Sequence, residues 1–242
     1  MIGTILNSAA IMIGGTLGLT TFKALSPSSE SQLRIVLAAF TVFFGLRLTW
    51  LSLNGSVLQI LKQSTILLFA LMLGKLVGRI LGLQKASNYL GRRAQEQIVA
   101  AQSSRSHTVN EGFKPCAILF CAAPLGILGA VQDGLLSSHY FYPLAVKAVM
   151  DGFAALGFIR ILGWGVLLSA IPVLAVQGTL TLVCAFFVAP LLSERGLLDP
   201  VNAVGGMLVF CVALVMLGLK RIELTDYLPS LLFAPLLTWL WP

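Results

Sequence analysis

The sequence predicts an all-α fold, a bundle of membrane-crossing helices, on three observations. Mean hydropathy is +0.93 over 242 residues, and only 10% of the residues are charged. Soluble domains carry roughly 25% charged residues, so this composition belongs to a chain whose solvent is lipid. Second, the apolar residues come in continuous blocks of helix length, not in the alternating pattern of barrel strands. Third, the basic residues are gathered on alternate loops, as expected when a membrane sorts them.

The apolar blocks fall at 2–22, 35–52, 64–83, 116–136, 143–162, 164–192, 201–219 and 227–241. A span needs about 20 apolar residues. Eight spans result, or seven if the short last block lies at the interface. The opening MIGTILNSAAIMIGGTLGL has no basic residue ahead of its apolar run, so it reads as a retained first span rather than a cleaved signal. The block at 164–192 is too long for one simple helix. Pro172 and the pair Gln177-Gly178 predict a break near its middle.

Between the third and fourth spans lies the polar loop 84–113. QKASNYLGRRAQEQIVAAQ predicts a short surface helix there, and Asn110 is expected to cap the fourth span. Positive-inside places this loop in the cytoplasm and both termini outside. The inner side then holds twelve basic residues, among them Lys75, Arg79, Lys85, Arg92, Arg93, Arg105 and Lys114. The outer side holds Lys62 and Arg195. The net charge of +7 is explained by topology and requires no nucleic acid. Trp50, Trp164, Trp239 and Trp241 fall at expected span ends, and SHYFYP (138–143) adds an aromatic cluster in an outer loop.

The chain is expected to form one transmembrane domain over 1–242. Its ends carry matched strings: Gly3-Thr4 and Gly178-Thr179, FFGLRL (43–48) and MLGLKR (216–221), LLFA at 67–70 and at 231–234. Either short strings recur by chance in Leu/Ala/Gly-rich sequence, or halves 1–83 and 164–242 form an inverted repeat around two central spans. Such repeats are common in secondary transporters, with the site at their interface.

Chemistry is confined to a few positions. Small residues at helical spacing, Gly14 and Gly18, then Gly74, Gly78 and Gly82, suit close packing of helices in lipid. CAAPLGILGAVQDG brings together Pro124, Gly126 and Gly129 before Gln132 and Asp133, which predicts a broken fourth span. Lys147 and Asp151, four apart, share one face of the fifth span. A charge at a helix centre costs about 2.5–3.5 kcal/mol on insertion scales, so these residues are either a structural ion pair or a site. Asp133 lies just across a short outer loop, where it would complete a three-charge cluster. Asn7 and Gln177, beside Gly178, are further polar candidates. Cys116, Cys121, Cys184 and Cys211 sit in apolar segments as packing residues, and His107 and His139 lie in separate loops. Neither a metal nor a cofactor is expected.

Several of these strings together resemble a known family. GTILN (3–7) with GG-x-x-G (14–18), the run from Cys121 to Leu135, K-x-x-x-D-G (147–152), Gln177-Gly178, VGG (204–206) and Leu228-Pro229 resemble the prokaryotic membrane proteins of domain of unknown function 554, the YdfK-like proteins. The resemblance covers nearly the whole chain and implies an integral membrane protein of the prokaryotic inner membrane. Where that family carries Gly-Pro and Lys-Ser, this chain has Ala123-Pro124 and Lys147-Ala148. No substrate follows from it.

Three functions remain. A transporter or channel for an ion or small polar solute fits the intramembrane Asp/Lys cluster best. An assembly or signalling partner would normally carry a soluble domain, and an intramembrane enzyme would need a nucleophile-base pair or a metal, so catalysis is not expected. Lipid is the certain partner; a homo-oligomer is compatible with so small a bundle.

Overall fold

A computed structural model describes residues 1–20, 26–102, 109–135 and 140–241. His107, His139, Lys23, Arg105 and part of the 138–143 aromatic cluster lie outside them. Among the described residues the chain is helical and contains no strand. In order the helices are α1 (Ile2–Thr20), α2 (Pro27–Ser52), α3 (Val57–Leu81), α4 (Leu83–Gln102), α5 (Val109–Ala122), α6 (Pro124–Leu135) and α7 (Tyr142–Leu162). There follow α8 (Gly165–Leu168), α9 (Ala170–Val183), a π turn (Cys184–Val188), α10 (Ala189–Glu194) and α11 (Leu198–Met216). A 3-10 turn (Leu224–Tyr227) and α12 (Ser230–Leu240) complete it.

Among the described residues five helices can cross a membrane by length and apolarity: α1, α2 from Ser28, α3, the run Gly165–Glu194 and α11. The bent pair α5–α6 makes a sixth if it counts as one span. The two remaining expected blocks correspond to α7, 21 residues long and charged in its interior, and to α12, only 11 residues long.

Two local expectations need correction. The break near Gln177-Gly178 is absent, because α9 runs unbroken from Ala170 to Val183. Pro172 sits in the first turn of that helix, where its missing N–H costs no hydrogen bond. The irregularities fall instead at Ser169, whose N–H donates to the Val166 carbonyl, and at the π turn. Asn110 does not cap α5 but lies inside its first turn. The surface helix of the polar loop is present as α4, directly after α3. Gly82, at φ 67°, makes that sharp junction possible, and its N–H closes α3 on the Arg79 carbonyl at 3.2 Å.

The chain divides into two compact units that interleave its ends. The first contains 1–31 and 86–182, the second 32–85 and 183–242. In the first, Ile11, Phe120, Ile159, Leu162, Val166 and Val173 build the apolar core, with Ile98 and Ala101 of α4 packed onto it. Helices α1 and α7 meet there through glycine. A Cβ added at Gly14 would stand 1.9 Å from the Gly152 carbonyl oxygen. In the second unit Gly45 of α2 abuts Gly206 of α11, and Gly74 and Gly78 of α3 abut Ser230 and Asp226. Asp226 also accepts the Gln84 N–H at 2.7 Å, while Gln84 Oε1 accepts the Thr225 N–H at 3.1 Å. That reciprocal pair fastens the α3–α4 junction to the 3-10 turn.

These contacts make the glycines testable. Gly14→Ala must push two backbones apart, and overpacking of this kind costs roughly 1–3 kcal/mol. It is expected to lower the unfolding temperature in detergent. Gly91→Ala, in open space on α4, is expected to move it the other way, since Gly costs a helix interior about 0.5–1 kcal/mol relative to Ala. Equal behaviour of the two variants would contradict the packing.

Candidate functional site

A group of polar residues of the first unit gathers beside the α5–α6 break. The two helices meet at 58° across Ala123, and Pro124 opens α6. Proline suits a first helical position because its N–H is not required there, so the break expected at Pro124 is where the sequence places it. The Ala123 carbonyl accepts the Gly126 N–H at 2.9 Å, which starts the second helix.

Against that start lies the ion pair. Lys147 donates to Asp151 Oδ2, as the i,i+4 spacing requires, with both residues on the inward face of α7. Lys147 is 2% exposed and Asp151 8%, so the pair is closed off in this conformation. The ammonium also stands 5.9 Å from the centre of the Phe120 ring on α5, and Cys121 feels both charges. Gly126 is what admits the lysine to the break: a Cβ there would stand 2.8 Å from Lys147 Cε and 3.0 Å from Gln177 Nε2.

Asn7 on α1 lies beside Asp151 and ties α1 to α9: its Nδ2 donates to Gln177 Oε1 at 3.1 Å. One turn further along, Thr4 Oγ1 meets Thr181 Oγ1 at 3.2 Å, and Thr181 donates to the Ala130 carbonyl of α6 at 3.1 Å. Four helices thus share one buried polar column. Yet Asn7 Oδ1 and Gln177 Nε2 have no partner, though Asn7 is 0% and Gln177 2% exposed. A buried polar atom left unpaired costs roughly 1–3 kcal/mol, so such positions are kept for a reason.

The structure joins Lys147, Asp151, Asn7, Gln177 and Gly126. It leaves Asp133 apart: its carboxylate lies 3.3 Å from the Met1 amino group, seven residues and about 10 Å along α6 from Gly126. Gln132 is buried with both amide atoms unpartnered, so it makes no hydrogen bond to this group. Gly129 packs on Leu144, and Gly178 faces Thr4 within an unbroken helix. The sequence offers Thr4 only within the Gly3-Thr4 string and Cys121 only as a packing residue; Thr181, two residues after Gly178-Thr179, it does not single out. Among the described residues no cluster of His, Cys, Asp or Glu is arranged to hold a metal.

Apolar helices of spanning length, with a buried charged column inside the first unit, define an integral membrane protein. The chain belongs to the family of unknown function DUF554, whose model matches residues 2–239. It is 30% identical to the uncharacterized protein YqgA of Escherichia coli over all of this chain and 97% of that one. It is 26% identical to the uncharacterized membrane protein YdfK of Bacillus subtilis over 97% of this chain and 94% of the other. No solved structure matches it.

Proposed function

We propose that the protein is a small transporter of the prokaryotic inner membrane, moving an ion or small polar solute past the α5–α6 break. The observation that carries this reading is the buried Lys147–Asp151 pair beside a broken helix, with unpartnered amide atoms of Asn7 and Gln177 at its side. A structural ion pair alone would call for satisfied neighbours. Broken helices at membrane depth, facing buried charge, are the usual form of a solute site.

The matched strings add support through where they meet. Thr4 and Asn7 contact Thr181 and Gln177 in reversed order, so α1 and α9 run antiparallel. Gly74 and Gly78 contact Ser230 and Asp226 in reversed order as well, and the last residues of the two LLFA strings, Ala70 and Ala234, are both fully buried. Partners that cross antiparallel are what an inverted repeat requires, and the site then lies where α1 crosses α9.

Uptake by proteoliposomes is the test: the wild type carries solute and Gln177→Leu does not. Orientation is tested separately. With both termini outside, alkaline phosphatase fused after residue 242 is expected to be active, and a fluorescent reporter that matures only in the cytoplasm dark. The opposite pattern rejects the assignment.

A further inference from the structure

We infer that the solute is a small anion, carried together with a proton that Asp151 takes up; this rests on the transporter reading above. The argument starts from the direction of the hydrogen bonds. Asn7 Nδ2 donates to Gln177, which fixes Oε1 toward Asn7 and leaves Nε2 as a free donor. That donor lies 3.0 Å from where a Gly126 Cβ would be, beside Lys147 and the first turn of α6. An ammonium, a spare amide N–H and the positive end of a 12-residue helix converge on one point. All three recognise negative charge.

Asp151 occupies Lys147 when nothing else does. An incoming anion competes for the ammonium, and a displaced, buried carboxylate is held there only once protonated. Proton and anion then enter one for one, and the site stays neutral before and after. Among the described residues the other titratable groups on the facing elements are Cys121 on α5 and, further along α6, Asp133, already matched to the Met1 amine. From α1 and α9 the facing groups are the neutral Asn7 and Gln177.

The experiment uses the full-length protein in detergent, titrated at constant ionic strength with sodium formate, nitrate or chloride against sodium gluconate. Each small anion is expected to raise the unfolding temperature of the wild type. Asp151→Asn removes the competitor, so apparent affinity should rise about tenfold or more, the scale on which one close opposite charge acts. Gln177→Leu is expected to weaken it in both backgrounds. No difference between the small anions and gluconate, or a response that follows the cation when sodium is replaced by potassium or choline, overturns the proposal. A cation or neutral solute carried by proteoliposomes without an anion effect overturns it while leaving a transporter. Anion binding without flux would keep the site and reject transport.

Discussion

Asp151→Asn is expected to abolish proton-driven uptake by proteoliposomes while the purified protein still folds. The amide keeps the size of the carboxylate and still accepts from Lys147, but it cannot take a proton within the working range. A gradient of pH should therefore no longer drive solute, which a pH-sensitive dye trapped in the vesicles reads as loss of acid-induced flux. Anion exchange without a gradient should survive. Unchanged coupling in this variant would remove Asp151 from the mechanism.

The second large effect separates function from architecture. Lys147→Met leaves Asp151 buried and unmatched, and breaking such a pair typically costs about 3–5 kcal/mol. It is expected to lower expression and the unfolding temperature sharply. Lys147→Met combined with Asp151→Leu removes both charges and should recover most of that stability, because apolar replacement of a buried pair is often neutral or favourable. The recovered double variant is expected to carry nothing. Full activity in it would mean that the pair is only structural.

Both predictions concern residues that were legible before any fold was known, for a simple reason. Charge in an apolar segment is costly at every register, so Lys147 and Asp151 stand out in a bare string, and their spacing of four fixes one helical face. The membrane class was legible on the same grounds, as was the break at Pro124, since a proline with glycines after it limits the backbone locally. Pro172 shows where that reasoning stops. The same residue type breaks nothing at the first turn of α9, and where a helix begins depends on what precedes and packs against it.

What the sequence by itself determined was therefore a helical membrane protein, its polar inventory and one broken helix. Only the tertiary structure decided which polar residues meet. Asn7 and Gln177 are 170 residues apart, and no local pattern could have joined them to Lys147. Asp133 follows the same logic in the opposite direction. Eighteen residues from Asp151 in sequence, it lies two turns along α6 from the break and faces the Met1 amine instead. Spacing along one helix is local geometry and can be read from a string. Distance between helices is set by where glycines leave room, as Gly14 does for the Gly152 backbone and Gly126 for the Lys147 side chain, and that exists only once the chain has packed.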